Sequence, residues 1–199
     1  MTKRFFSLAL AGLMTFGAFA QDAKKDEGFV FTTVKENPIT SIKNQNRAGT
    51  RGCYSSLSFI ESELPRMGKG EYDFSEMYIV HNTYLDRADK AVRTHGDISF
   101  SQGGSFYDVI YGMDKFGLVP EEAMRPGVMY GDTLSNHNEL SAVSDAIVAA
   151  IAKGRHSKLQ SDPEGNMLWK KAIEAVHDIY LGERPEKFTY NGKEYTPKS

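Results

Sequence analysis

The sequence predicts an α+β fold in which helices dominate, and three observations carry that prediction. Apolar residues recur at three- and four-residue spacing in five stretches between Gly52 and Leu181. A run of β-branched and aromatic residues, Phe29 to Val34, precedes them. Asn191-Gly192, between two short extended stretches, follows them as a hairpin signal. With 199 residues, 40% of them hydrophobic, the chain can bury a core of ordinary size. The net charge is −2 and the Lys and Arg residues are scattered, so no basic stripe offers itself to nucleic acid.

Taken in order, Lys3 and Arg4 precede an apolar run from Phe5 to Phe19, and Ala18-Phe19-Ala20 is a small-x-small cleavage pattern. Residues 1–20 therefore read as a secretory signal peptide, which makes the mature protein secreted or periplasmic. The run is too short for a bilayer span of roughly twenty residues, so no membrane partner is expected after cleavage. Cleavage removes Lys3 and Arg4 and takes the net charge from −2 to −4. The stretch 29–50 reads as a short strand to Val34, a turn at Asn37-Pro38 and an extended lead-in.

The helical part spans 52–182. Tyr54, Leu57, Ile60 and Leu64 line one face of a first helix, stopped by Pro65 and Gly68. Ser75 is an N-cap for a second, with Met77, Val80, Tyr84, Ala88 and Ala91 on one face. Phe106, Val109, Ile110, Met113 and Phe116 define a third, which Gly117 ends. The segment 119–138 is loop-like, and 139–152 and 163–181 are two further amphipathic helices, the last carrying Trp169, Ile173, Val176 and Tyr180. The start of a hairpin occupies 187–199.

Chemistry-bearing residues are few. The single cysteine, Cys53, cannot form an internal disulfide, so it is free or pairs with another chain. At a helix N-terminus a thiol feels the positive end of the helix dipole, which favours the thiolate. His81, His95, His137 and His156 read as surface histidines, and no pair has a metal-ligand spacing. No metal and no cofactor is expected.

Four pieces, "NQNRAGT", "FSEMYIV", "SQGGSFYDVIYGMDKFGLVPEE" and "SNHNEL", stand in this order over about 100 residues. In that order they resemble the papain-like cysteine peptidase superfamily, in particular its bleomycin hydrolase and bacterial aminopeptidase C branch. The resemblance implies a papain-like fold, of which 21–199 is an N-terminal portion: the helical left domain with the central active-site helix, most of the β-rich right domain missing. It implies a cysteine-type aminopeptidase or peptidase that cleaves peptide bonds through a thiol acyl-enzyme. By the same match, Gln45 is the oxyanion-hole glutamine and Gly103 and Gly104 are the pair that receives the peptide substrate in extended form.

The family's nucleophile lies six residues after that glutamine, which is Arg51 here, whereas Cys53 lies eight after it. Two positions along a helix turn a side chain by about 200°, so Cys53 is a displaced thiol packed away from the cleft. Were the helix to begin later, with Cys53 at its first position, the thiol would face the cleft. Arg51 is neither nucleophile nor base but can receive an acidic group. His177 sits in an amphipathic helix rather than the strand that carries the family's histidine. The competing function is a pseudoenzyme, a peptide-binding or interaction module derived from the family. A cleft face without its second half predicts self-association, or a missing C-terminal half as partner.

Overall fold

The computed structural model describes residues 28–154 and 167–199. The expected signal peptide and its cleavage site, the start of the 163–181 helix and His156 lie outside the described residues. The chain divides into two units, 1–36 and 37–199. In the first, residues 28–36 are exposed and form no strand, a correction to the strand expected at Phe29–Val34. Its β-branched residues satisfy the local preference, but a strand exists only where a neighbour takes up its backbone N–H and C=O groups.

In the second unit, α1 (Arg51–Arg66), α2 (Glu76–Arg93), α3 (Phe106–Phe116), α4 (Asn138–Lys153) and α5 (Leu168–Leu181) are followed by β1 (Phe188–Tyr190) and β2 (Lys193–Tyr195). The helices form where the apolar spacing places them. Ser75 caps α2 by accepting the Tyr78 N–H at 3.1 Å, which satisfies one of the donors left open at a helix start. Gly117 ends α3 at φ 87°, a conformation that a side chain disfavours. Asn191 and Gly192 take φ 49° and 75° between β1 and β2, as a two-residue hairpin turn requires.

α2 packs against each of the other four helices, with α1 and α3 touching on one side and α4 and α5 on the other. Two apolar clusters result. Cys53, Leu57, Met77, Val80, Val109 and Leu140 belong to the first. Ala88, Ala91, Val148, Trp169 and Ile173 belong to the second, and Phe100 packs against both. Among the described residues no helix is long and apolar enough to cross a membrane.

Two of the histidines expected at the surface are core residues: His81 is 0% exposed and His137 1%. Each meets a hydrogen-bonding group inside the fold, which is what allows an imidazole to be buried. The His81 Nε2–H donates to Asp178 Oδ1 at 2.7 Å, and His137 Nδ1 lies 3.4 Å from the Tyr84 hydroxyl. His177 on α5 is buried beside them, 3.2 Å from the Ser144 hydroxyl. His95 is exposed, as expected.

Candidate functional site

The segment leading into α1 is held by a buried ion cluster. The Lys43 ammonium lies 3.0 Å from Glu61, 2.7 Å from Asp73 and 3.0 Å from Glu76, and it also donates to the Phe74 carbonyl at 3.1 Å. Glu61 and Glu76 are wholly buried. Burial lowers the Lys43 pKa, but the Glu76 charge and the carboxylate hydrogen bonds outweigh it and raise the value overall. Burial pushes the carboxyl of Glu76 up to about 6, and burial with the Glu76 charge pushes Glu121 up to about 8. Both shifts favour the neutral acid, which lessens the negative charge that Lys43 has to balance.

Two residues further on, the Gln45 carboxamide N–H donates to the Ala48 carbonyl at 2.7 Å, which closes a tight turn. Arg47 then forms an isolated parallel bridge with Asn136: its N–H donates to the Ser135 carbonyl at 3.1 Å, and its carbonyl accepts the His137 N–H at 3.0 Å. Thr50 precedes α1, its carbonyl accepting the Cys53 N–H at 2.9 Å and the Tyr54 N–H at 3.2 Å. Gln45 is thereby fixed just ahead of the helix start.

Arg51 is the first residue of α1 and is exposed, with no ion pair or side-chain hydrogen bond among the described residues. Cys53 points the other way, 8% exposed within the first apolar cluster, with its Sγ 3.7 Å from the Glu76 carbonyl oxygen. Burial first, and the Glu76 charge second, push its pKa well above the ordinary thiol value. Burial outweighs the helix dipole here, and the group is a neutral thiol rather than a thiolate.

Gly103 and Gly104 come to the start of α1. The Gly49 N–H donates to Gln102 Oε1 at 2.7 Å. Gly52 meets Gly104 so closely that a Cβ on Gly52 would lie 2.1 Å from the Gly104 carbonyl oxygen. Gly103 is exposed, with open space where a Cβ would stand, and among the described residues its backbone N–H and C=O have no hydrogen-bond partner. A backbone whose N–H and C=O are both open can pair with another. Just after it, α3 exposes Phe106, Tyr107 and Ile110, and the Phe106 ring meets the exposed Phe59 of α1 edge to face at 5.9 Å.

The structure thus brings Gln45, Arg51, Gly103 and Gly104 to one end of α1 and leaves Cys53 inside. No histidine side chain contacts this end among the described residues: His137 and His177 lie against Tyr84, His81 against His177, and His95 is exposed beyond the end of α2. Nor is any group of three His, Cys, Asp or Glu side chains there arranged to hold a metal ion. Two cavities of about 540 Å³ adjoin the hairpin, and neither is lined by these residues. Sequence reasoning missed Lys43, Arg87 and Gln102. Only Gln102 carried a signal, its place directly before the glycine pair.

No family model matches the sequence. Aminopeptidase E of Lactobacillus helveticus is 24% identical over 184 residues, covering 80% of this chain and 40% of that protein. The chain therefore spans well under half the length of this curated relative. The chain is similar in fold to part of PepW from Lactobacillus rhamnosis, whose crystal structure it matches with a TM-score of 0.50 at 17% identity over 82% of this chain and 43% of that one. The chain is thus similar in sequence to one aminopeptidase and in fold to PepW, in keeping with the resemblance that the four sequence pieces carry.

Proposed function

We propose that this chain carries the papain-like helical domain of a bleomycin hydrolase type peptidase, secreted or periplasmic, and that it binds peptides in extended form without cleaving them through a thiol of its own. One observation carries the reading: Arg51 holds the exposed first position of α1 beside Gly104, while the only thiol is buried in the core. A guanidinium stays protonated and attacks nothing, but it can receive an acidic group of a bound peptide. Gly103 supplies the open backbone for that peptide, and the Phe59 and Phe106 surface a contact for an apolar side chain.

The likeness to Aminopeptidase E favours a second reading, peptide-bond hydrolysis of the family type. That reading needs Cys53 to turn outward as a thiolate.

A peptidyl epoxide inhibitor of cysteine peptidases, followed by mass spectrometry of the intact protein, separates the two. The expected result is no adduct on the wild-type protein and an adduct on Arg51→Cys, whose thiol would sit at the exposed helix start. In parallel, fluorescein-labelled hexapeptides with phenylalanine at each position in turn bind reversibly, as read by anisotropy. An adduct on Cys53 of the folded wild-type protein establishes the second reading and ends the first.

A further inference from the structure

Arg87 projects from α2 toward the loop that carries Gly103 and Gly104, and its side chain is 15% exposed. Its Nη1 donates to the carbonyl oxygens of Ser101 and Gln102, at 3.1 Å each. Its Nη2 lies 3.5 Å from Asp108 Oδ2, the oxygen that also accepts the Ser105 N–H at 2.6 Å. One guanidinium thus holds both flanks of the glycine pair, from Ser101 and Gln102 on one side to the start of α3 on the other. Its planar fork of donors makes these bonds together, which a point charge cannot do.

Two consequences tie this side chain to the site. The Gln102 carbonyl and carboxamide are both engaged, the first by Arg87 and the second by Gly49, so the loop is fixed to α2 and to the turn before α1 at once. A Cβ on Gly104 would lie 2.3 Å from Arg87 Nη2, which its hydrogen bonds to the loop hold in place, so a side chain at 104 would displace the guanidinium.

We infer that Arg87 is the positioning residue of the peptide platform: it sets how far Gly103 and Gly104 stand from the first turn of α1, and so keeps the loop in its peptide-receiving conformation. The inference rests on the peptide-binding reading above. Without the guanidinium the loop samples other conformations, and the apparent affinity for peptide falls by the fraction of time it spends in the competent one.

The test measures affinity for the hexapeptide that the wild-type protein binds best, together with amide exchange of residues 101–105, in Arg87→Met, Arg87→Lys, Gly104→Ala and the Arg87→Met/Gly104→Ala pair. Arg87→Met is expected to weaken binding by about tenfold or more and to speed exchange of the loop alone, with Arg87→Lys between it and wild type. Gly104→Ala weakens binding in the wild-type background and by less beside Arg87→Met, because the clash with the guanidinium is then gone and only the 3.2 Å approach to Asp108 Oδ2 remains. Wild-type affinity in Arg87→Met, or equal Gly104→Ala losses in both backgrounds, overturns the assignment while leaving the peptide-binding reading intact. Failure of the wild-type protein to bind any of the hexapeptides overturns both.

Discussion

Gly52→Ala sets two effects against each other, and the structure says which prevails. In a helix, alanine is favoured over glycine by up to about 1 kcal/mol, so propensity alone predicts a more stable protein. The new methyl would lie 2.1 Å from the Gly104 carbonyl oxygen and 2.8 Å from its carbon. Both are backbone atoms, which cannot swing aside as a side-chain tip can, so α1 and the glycine loop must part by about 1 Å in a packed structure. Overpacking costs about 1–3 kcal/mol and a clash with rigid backbone belongs to the upper part of that range, about 2–3, so the net loss is about 1–2 kcal/mol. Urea unfolding reads this as a lower midpoint at unchanged slope. Gly103→Ala is the control: nothing lies within 4 Å of its added methyl, so its stability should stay within about 0.5 kcal/mol of wild type while peptide binding is lost. A Gly52→Ala protein as stable as wild type, or more so, would refute the close approach of α1 and the platform.

Three further outcomes are expected. Lys43→Met leaves the buried Glu61 and Glu76 without their counter-ion and should cost about 3–5 kcal/mol at pH 8; the deficit should shrink toward pH 6, as the raised pKa of Glu76 lets it protonate, and an unchanged urea midpoint at pH 8 would contradict it. His137 and His177, held by burial at about 4 and about 3, stay neutral in the fold while the unfolded chain takes up protons below about pH 6.5, so their contribution is lost as pH falls, about 2 kcal/mol for each between pH 6.5 and 5; Glu76 and Glu121 act in the opposite direction, so His177→Gln should flatten the acid limb of the stability profile, and an unaltered limb counts against a buried neutral imidazole. Cys53 should react with Ellman's reagent only on unfolding, and rapid reaction of the native protein would show that the thiol is not enclosed.

Much of the fold was legible because a stripe of apolar residues can be hidden in only one way. The spacing of Tyr54 and Leu57, or of Trp169 and Ile173, left little choice but a helix with that face inward. Phe29–Val34 misled, since β-branched residues state a preference and not a partner. Charged and imidazole side chains misled in the other direction. His81 and His137 read as surface residues, and nothing in the local pattern marks Glu61 and Glu76; all four are buried, through contacts made across the fold at separations that local patterning does not reach. At the candidate site, two positions along a helix separate the faces that Arg51 and Cys53 occupy, and the structure leaves the first exposed and the second in the core. Arg87 was invisible because an arginine on the polar flank of an amphipathic helix looks like any surface cation until the loop it holds is seen.

The two apolar clusters have a practical consequence, because the chain's one tryptophan and one cysteine fall on different sides of the divide. Trp169 belongs to the cluster of α2, α4 and α5, and Cys53 to the cluster around α1 and α3. Each half of the core therefore carries an intrinsic reporter, emission for one and alkylation for the other, with no label to introduce. Phe100 packs against both clusters, so its truncation to alanine is a perturbation that both signals would report.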